Sequence, residues 1–336
     1  MKYTITIYMK VLHISFHKGC QNDIEYIAKQ LNFELTYMIY QCDLSTENNK
    51  YNITHEKANH QWAKYKEYYN SFDVIITSDT APISRIFLQN HFEKKVIIWI
   101  CNRFDYADGG PTPQFPDQEY YDLINGAKHQ PNVHIIGYTA FENYYANHIK
   151  RLSIGNDVIK PIGKIGTLYE NYIPTNVDNK SKIYIVGLYH NDNIMMNLRE
   201  KVESLGIRVY NGRYDGPKDL AEFAGMIHIP YAWSNLALFE AIQMEVPYFI
   251  PSLTFIKQLA KNPKINFFWS PPLILDMLHL SEWYCDELKD VIIYFDSWDD
   301  LQHKILSFDR EAHKKKLREF GDLHDAKMLQ LWKEIL

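Results

Sequence analysis

The sequence has 336 residues, of which 46% are hydrophobic and 23% are charged, and this is the composition of an ordinary globular protein. The length predicts two domains. A formal net charge of −5 and a pI near 6.3 argue against a nucleic-acid-binding protein, because such proteins usually carry a basic patch.

Other broad classes are disfavoured as well. No window contains the roughly 18 uncharged apolar residues of a membrane-spanning helix, and the start MKYTITIYMKVLHISF lacks the cleavage site of a signal peptide. The four cysteines, Cys20, Cys42, Cys101 and Cys285, lie far apart in the sequence and form no CxxC or Cys/His ligand pair. We therefore expect neither a disulfide framework nor a zinc site, and we expect a cytoplasmic protein.

The first half of the chain alternates strand-like and helix-like segments. The expected strands are KVLHISF (10–16), FELTYMIY (33–40), DVIITS (73–78), KKVIIWIC (94–101) and NVHIIGYT (132–139). Segments with helical spacing, such as DIEYIAKQLN and HQWAKYKEYYNSF, lie between them. Strands that are apolar without alternation and are separated by helices predict a parallel sheet covered on both faces.

The polar segment IPTNVDNKSK (173–182) has no periodicity and is the best linker candidate. After it the pattern restarts. The expected strands are KIYIVG (182–187), IRVYNG (207–212), IHIPYA (227–232), VPYFIPS (246–252) and DVIIYFD (290–296). The expected helices are MMNLREKVESLG (195–206), DLAEFAGM (219–226), NLALFEAIQM (235–244) and a helical tail from Trp298 to Leu336. The sequence thus predicts two similar doubly wound α/β halves with a helical end.

The loops that follow the strands of the second half are candidate binding sites, because open parallel sheets bind ligands beyond the carboxyl ends of their strands. These loops are Gly187 to Asn191, including His190, then Gly212-Arg213, and finally Tyr231 to Asn235. Ser234 or Asn235 is a suitable N-cap for the helix after the last loop. The backbone N–H groups at such a helix start bind phosphate well, and Arg213 would add a charged contact.

Glu240 is a carboxylate in the otherwise apolar run NLALFEAIQM. From its place in the helix it can accept hydrogen bonds from a ribose diol while the helix start holds a diphosphate. The alternative is a glutamate that is solvated or paired with a surface lysine. No GxGxxG follows an expected strand and no GxxxxGK[ST] occurs, which disfavours nicotinamide and flavin enzymes and P-loop kinases.

The run HIPYAWSNLALFEAIQMEVPYFIPS (228–252) resembles the donor-binding half of glycosyltransferases with the GT-B fold, and is most similar to the group-1 nucleotide-sugar enzymes. Those enzymes show a loop, a helix with a Glu-Ala pair, a short turn and a buried strand that begins near a proline. Glu240-Ala241 and Pro247 occupy these places. The C-terminal segments IIYFDSWDDLQHKIL and LQLWKEIL also resemble that fold.

The resemblance implies an α/β fold of two Rossmann-like, doubly wound parallel-sheet domains that face each other across a cleft, with a C-terminal helix that crosses back. It implies an acceptor domain over 1–173, a donor domain over 182–310 and a final helix over 311–336. The implied donor-binding residues are Gly187, His190, Gly212, Arg213, Tyr231, Ser234, Asn235 and Glu240. Many retaining members carry a second glutamate eight positions before the ribose-binding one, whereas this chain has Ala232.

The implied activity is transfer of a sugar from a nucleotide-diphosphate sugar to the hydroxyl of a glycan or another acceptor. A nucleotide-sugar epimerase of the same fold and a non-catalytic two-domain binding protein are the alternatives. We expect no cofactor beyond the donor substrate and no nucleic-acid partner.

In the first half, residues after the expected strands are candidates for the acceptor side, where an inverting enzyme needs one base to accept the acceptor's proton. His17 is the first choice for this base, followed by Asp79 and Asp105. Lys18, Gly19, Asn102 and Arg103 are further acceptor-side candidates. The alternative roles are structural: Asp79, like Asp23, suits a helix cap, and a histidine after a strand is often only packed.

Two charged segments have simpler explanations. Asp299-Asp300 stands at an expected helix start, where carboxylates complement the helix dipole, so we predict capping and no metal site. The basic run HKKKLR (313–318) lies among acidic residues, and we predict a solvated helix face. A peripheral membrane contact is the alternative for this run.

Overall fold

The computed structural model describes residues 9–39, 53–101, 104–105, 117–166, 177–187, 196–263, 265 and 274–336. The chain divides into two compact units. Unit 1 comprises Met1–Pro161 and Met328–Leu336, and unit 2 comprises Ile162–Lys327. Residues 173–176 of the expected linker and the residues His190, Asn102, Arg103 and Cys42 lie outside the described residues.

Unit 1 is built on a five-stranded parallel sheet with the strand order β2-β1-β3-β4-β5. Its strands are β1 (Lys10–Ile14), β2 (Glu34–Met38), β3 (Val74–Asp79), β4 (Lys95–Ile100) and β5 (Val133–Gly137). Its helices are α1 (Lys18–Leu31), α2 (His55–Asn70), α3 (Arg85–Leu88), α4 (Gln118–Ala127) and α5 (Ala140–Tyr144). Every residue of β3 is buried, which explains its unbroken apolar pattern, since helices cover both faces of the sheet.

Unit 2 repeats this plan, with the strand order β10-β9-β8-β6-β7 and parallel pairing throughout. Its strands are β6 (Tyr184–Val186), β7 (Val209–Tyr210), β8 (Gly225–Ile227), β9 (Tyr248–Pro251) and β10 (Ile292–Phe295). Its helices are α6 (Leu198–Glu203), α7 (Pro217–Leu220), α8 (Leu236–Gln243), α9 (Leu253–Ala260) and α10 (Trp298–Ser307). The expected α/β architecture of two doubly wound parallel sheets is confirmed.

The last helix, α11 (Arg310–Ile335), begins in unit 2, and its final residues belong to unit 1. Within unit 1, the fully buried Trp332 packs edge-on against Trp99, with ring centroids 5.5 Å apart. The Lys95 Nζ atom donates hydrogen bonds of 2.8 Å to the carbonyl oxygens of Ile335 and Leu336. The chain end is therefore fixed to the sheet of unit 1 by packing and by hydrogen bonds.

The basic run at the start of α11 is largely neutralised. Arg318 pairs with Glu245 through two contacts of 2.7 Å, and Lys314 lies 3.1 Å from Glu311. His313 is buried, and its Nε2 atom lies 3.1 Å from the carbonyl oxygen of Val291. Within the described ranges, no helix combines the length and the hydrophobicity needed to cross a membrane.

One pair of expected elements is wrong. The helix expected over 219–226 ends at Leu220, and the strand expected from Ile227 is β8, which begins at Gly225. The reason is sheet pairing, since the Met226 N–H donates to the carbonyl oxygen of Pro247 at 2.9 Å. Gly225 fits there because a Cβ atom would lie only 2.9 Å from the same oxygen.

Each sheet has one point at which the strand order reverses. β1 lies between β2 and β3, and β6 lies between β7 and β8. In open α/β sheets, ligands bind outside the carboxyl ends of the strands at this reversal. We call the ends of β1 and β3 the unit 1 switch point, and the ends of β6 and β8 the unit 2 switch point.

Candidate functional site

His17 lies at the unit 1 switch point, three residues after β1, and its side chain is exposed. It is the N-cap of α1, because its Nδ1 atom accepts a hydrogen bond of 3.2 Å from the Gly19 N–H. Its own N–H donates to Ser15 Oγ at 3.1 Å. A ring nitrogen that accepts a hydrogen bond carries no proton, so the neutral ring in this position carries its proton on Nε2.

Asp79 ends β3 on the other side of the same switch point and is 2% exposed. Its backbone has φ +83°, a left-handed conformation that is strained for a residue with a side chain. Its carbonyl oxygen accepts from the Cys101 N–H at 3.0 Å. The following 3-10 turn has Thr80 as its N-cap, so the helix-cap explanation of Asp79 is wrong. Strain of this kind is concentrated at functional sites.

The other acceptor-side candidates differ in their surroundings. Lys18 is exposed and Gly19 is buried in the first turn of α1. Asp105 is buried, accepts a hydrogen bond from the Tyr121 hydroxyl and lies 3.5 Å from Lys150 Nζ. Because its charge is already compensated by an ammonium group, Asp105 fits a structural ion pair better than it fits a base.

Three further residues near this switch point, which belong to no sequence motif, are Cys20, Cys101 and His13. Cys20 and Cys101, which are far apart in the sequence, are both buried, and Cys101 Sγ donates to the Trp99 carbonyl oxygen at 3.5 Å. His13 on β1 is fully buried, and its Nε2 atom lies 2.8 Å from Ser78 Oγ. Burial lowers the pKa of His13 from 6.5 to about 3, so its ring is neutral at physiological pH. The only sequence signal for the thiols is that Cys101 directly follows a strand and Cys20 lies shortly after one.

At the unit 2 switch point, β8 leads into the loop 228–235 and then into α8. Asn235 is the N-cap of α8, with its Oδ1 atom accepting from the Ala237 N–H at 2.9 Å. One of the two expected caps is therefore confirmed. Gly187 follows β6 on the other side of the switch point. Tyr231 and Ser234 are half-buried in the loop.

Glu240 lies in the second turn of α8 and is 7% exposed, so the interpretation as a solvated surface glutamate is wrong. The backbone of Gly163, also in unit 2, passes close to α8 at this residue. A Cβ atom on Gly163 would lie 2.3 Å from the carbonyl carbon of Phe239 and 2.7 Å from the Glu240 nitrogen. The position of Glu240 is therefore fixed from outside the helix as well as by the helix itself.

A second buried carboxylate, Glu282, supports the same loop and has no counterpart in the sequence prediction. It is 1% exposed and accepts a hydrogen bond from the Asn235 N–H. Its own N–H donates to the Trp233 carbonyl oxygen at 3.3 Å, and Trp283 Nε1 donates to that of Ala232 at 2.8 Å. A carboxylate beside aromatic residues in the run SEWY was the signal that could have indicated it.

The side chains around this switch point bear acidic and phenolic groups. The pKa of Tyr248 is raised well above its ordinary value, mainly by burial and further by Tyr214, Tyr231, Glu282 and Glu240. Four groups that carry negative charge when ionised therefore lie near the Tyr248 hydroxyl. Tyr248 consequently stays protonated and can serve only as a hydrogen-bonding group at neutral pH.

Gly212 and Arg213 follow β7, the edge strand of the unit 2 sheet. Arg213 is exposed, and its carbonyl oxygen accepts from the Tyr210 hydroxyl at 3.0 Å. A Cβ atom on Gly212 would lie 2.3 Å from the Tyr210 ring, which explains the glycine by packing. These two residues thus stand one strand away from the unit 2 switch point.

Asp300 is part of a helix cap, as the sequence predicts. Its N–H donates to Ser297 Oγ at 3.1 Å, and its carboxylate accepts from the Asp296 N–H at 2.8 Å and from Lys304 Nζ at 2.9 Å. Among the described residues, no group of three or more His, Cys, Asp or Glu side chains has the arrangement of a metal site.

Comparison with known proteins identifies the fold. Over 98% of this chain and 99% of the other, the structure is similar to the glycotransferase of kitacinnamycin, with a TM-score of 0.53 and 11% identity. It is also similar, over 97% of this chain and 99% of the other, to the UDP-GlcNAc 2-epimerase of Neisseria meningitidis, with a TM-score of 0.53 and 8% identity. The chain has the GT-B fold.

The GT-B fold confirms the expected architecture of two Rossmann-like domains. No protein-family model matches the sequence, and no curated protein matches it. At 8% to 11% identity, these likenesses describe the fold and leave the activity to the residues of the site.

Proposed function

We propose that this GT-B-fold chain is a glycosyltransferase that moves a sugar from a nucleotide-diphosphate donor to a hydroxyl acceptor. The observation that carries the proposal is the burial of Glu240, at 7% exposure, on a helix that starts at the unit 2 switch point. A carboxylate held at this place, one turn beyond a helix start that can bind a diphosphate, is able to accept hydrogen bonds from a ribose diol.

Unit 2 is proposed to bind the donor. The start of α8, capped by Asn235, would hold the diphosphate, because helix N–H groups and the helix dipole favour anions. Glu240 would accept hydrogen bonds from the ribose. Gly187, Tyr231 and Ser234 are the remaining switch-point residues for the sugar and phosphates. Gly212 and Arg213, which lie one strand away, and His190 are peripheral members of the proposed set.

Unit 1 is proposed to bind the acceptor and to supply the base. As the acceptor oxygen attacks the anomeric carbon, its proton passes to the base and the bond to the nucleoside diphosphate breaks. His17 and Asp79 flank the unit 1 switch point and are the two groups we propose for this step. His17 has its proton on Nε2 while Nδ1 caps α1, so accepting a proton at Nε2 requires the other tautomer and loss of the cap bond. Asp79 needs no such change.

The donor's diphosphate needs charge stabilisation as it leaves, and we propose that unit 2 supplies it without a divalent cation. The capping role of Asp300 supports this, since its carboxylate is already committed to Lys304 and to the backbone. Addition of EDTA should leave the transfer rate unchanged. The scattered cysteines support a reducing compartment, and a cytoplasmic location is part of the proposal.

A nucleotide-sugar epimerase is the second candidate. It is favoured by the equally good structural likeness to the Neisseria meningitidis enzyme, which is described as bound to UDP-GlcNAc. Such an enzyme acts on the donor alone and needs no acceptor hydroxyl.

The test is incubation of the purified protein with UDP-, GDP- and ADP-sugars, with and without a mixture of hydroxyl acceptors. Chromatography then follows the free nucleotides and the sugars. Nucleoside diphosphate that is released only with an acceptor, together with a glycosylated product, supports the transferase. An isomerised sugar without acceptor supports the epimerase and overturns the transferase. No turnover with any donor overturns both and leaves a binding protein.

A further inference from the structure

The short loop 15–17, between β1 and α1, carries His17 and is held from the neighbouring strand β2. The Tyr37 hydroxyl donates a hydrogen bond of 3.0 Å to the carbonyl oxygen of Ser15. The Ser15 N–H donates to the carbonyl oxygen of Met38 at 3.4 Å, so both backbone groups of Ser15 are bonded to residues of β2. The proposed sugar transfer assigns no role to Tyr37 or Ser15.

Ser15 connects Tyr37 to the backbone of His17. Ser15 is fully buried, and its Oγ atom accepts a hydrogen bond of 3.1 Å from the His17 N–H. Tyr37, Ser15 and His17 therefore form a continuous chain of hydrogen bonds from β2 to the loop. Because the N–H, the carbonyl oxygen and the hydroxyl of Ser15 are all bonded within the fold, the backbone of His17 leaves the sheet in a fixed direction.

The Tyr37 side chain is itself held in place. Its ring centroid lies 5.6 Å from that of His13, with the two rings tilted by 55°, and His13 Nε2 lies 2.8 Å from Ser78 Oγ. Burial is the main cause that raises the pKa of Tyr37 to about 12, so the hydroxyl keeps its proton at neutral pH. Tyr37 is therefore a permanent hydrogen-bond donor to the loop that carries His17.

His17 is thus held in two ways that do not depend on each other. The bond to Ser15 holds its backbone, and the cap bond of 3.2 Å from the Gly19 N–H to Nδ1 holds its ring. If Nε2 accepts a proton, Nδ1 carries the other proton and the cap bond is lost. The bond to Ser15 does not involve the ring and persists. The hydrogen-bond chain from Tyr37 is therefore what keeps His17 in place while its ring takes up a proton.

We propose that Tyr37 is a positioning residue for His17, because through Ser15 it fixes the backbone from which the imidazole reaches the acceptor hydroxyl. This inference rests on the proposed function, in which His17 is one of the two groups that can receive the acceptor's proton. A base that is displaced from its substrate loses rate steeply, even when the displacement originates outside the site. Tyr37 touches no reacting atom and acts through His17.

The first test needs no turnover and compares Tyr37→Phe with a matched control. Tyr37→Phe removes only the hydroxyl and keeps the ring against His13. Tyr284→Phe removes a bond of the same length in unit 2, where the Tyr284 hydroxyl donates to the Pro251 carbonyl oxygen at 3.0 Å. Amide hydrogen exchange of the full-length protein, followed by NMR, should be about fivefold faster at His17 in Tyr37→Phe, the factor for one lost hydrogen bond. Tyr284→Phe should match wild type. Unchanged exchange at His17 in Tyr37→Phe overturns the proposal, whether or not the protein transfers a sugar.

The second test asks whether Tyr37 acts through His17. Tyr37→Phe should lower kcat about tenfold and leave the KM for the donor unchanged, and Ser15→Ala, which breaks the same chain at its next bond, should do likewise. In a His17→Asn background, where asparagine still caps α1, Tyr37→Phe should lower kcat no further. A full additional loss in that background, or a loss confined to KM, overturns the proposal.

The two tests separate the two claims. Absence of turnover in wild type overturns the proposed function and with it the catalytic role of Tyr37. The exchange measurement still decides whether Tyr37 fixes the loop that carries His17.

Discussion

The two switch points have the same topology and different chemistry. At the end of β1 and β3, unit 1 places the exposed His17 and the strained Asp79, an imidazole and a carboxylate that can each accept a proton. At the end of β6 and β8, unit 2 places buried carboxylates, tyrosines and a capped helix start. This difference supports the proposed division, in which unit 1 supplies the base and unit 2 binds the donor.

The largest expected effect is a loss of transfer rate, without a loss of nucleotide affinity, when the base in unit 1 is substituted. Asp79→Asn and His17→Asn should each be examined, because asparagine tolerates a left-handed backbone and is also a good N-cap. The variant that removes the base should lower the transfer rate by about a hundredfold to ten-thousandfold. The affinity for the nucleotide should stay within error of wild type, as measured by calorimetry. A loss of nucleotide affinity that accompanies the loss of rate would contradict the proposal that unit 1 supplies the base and unit 2 binds the nucleotide.

The next effect concerns acid stability and His13. Its folded pKa of about 3 lies below the ordinary 6.5, so the unfolded chain binds the proton more readily. Stability should be complete above about pH 6.5 and fall as the pH drops toward 3, by up to about 4 kcal/mol, since one pKa unit corresponds to about 1.4 kcal/mol. Urea unfolding between pH 7 and pH 4 measures the slope. The His13→Gln variant keeps a group able to bond Ser78 and should reduce the slope of unfolding free energy against pH. An unchanged slope would contradict the assignment of this pH dependence to His13.

A third comparison tests the support of Glu240 within unit 2. Gly163 and Gly206 have similar left-handed backbones, with φ +79° and +77°, but only Gly163 has backbone atoms of another segment against it. Gly206→Ala should cost about 1 kcal/mol of unfolding free energy from backbone strain alone. Gly163→Ala should cost about 3 kcal/mol, because the methyl group also displaces α8. Equal losses of unfolding free energy in the two variants, measured in urea, would show that the close approach of Gly163 to α8 does not affect stability.

The smallest effect belongs to Glu282. Glu282→Gln keeps an oxygen for the Asn235 N–H and loses the charge, which should weaken nucleotide binding by about 1 kcal/mol, or about fivefold in Kd. The transfer rate at saturating donor should not change, since Glu282 positions the loop and touches no reacting atom. A change in this rate without a change in Kd would contradict a positioning role.

The sequence predicts the fold well because its signals are local. Unbroken apolar runs such as DVIITS and KKVIIWIC became the buried strands β3 and β4 within a residue of their expected ends. The helix expected over 219–226 failed because pairing with β9 outweighs the local helical pattern at Gly225.

The sequence predicts only part of the candidate site, because some of its residues are placed by contacts that are not local. The rule that ligands bind beyond strand ends places His17, Asp79 and Asn235 correctly at the switch points. The role of Glu282 depends on a contact between distant parts of the chain, and such contacts leave no periodic pattern. The burial of Glu240 likewise depends on its surroundings in unit 2, among them Gly163, which no local pattern shows.

The central claim is that unit 2 binds a nucleotide through Glu240. The most direct measurement is the thermal unfolding midpoint of wild type, Glu240→Gln and the exposed control Glu200→Gln against UDP, GDP, ADP and CMP. At about 100 times its Kd, a bound nucleotide adds about 2.7 kcal/mol of stability. We predict that one nucleotide raises the midpoint of wild type and Glu200→Gln, and much less that of Glu240→Gln. An equal rise in all three proteins, or no rise with any nucleotide, would contradict the claim.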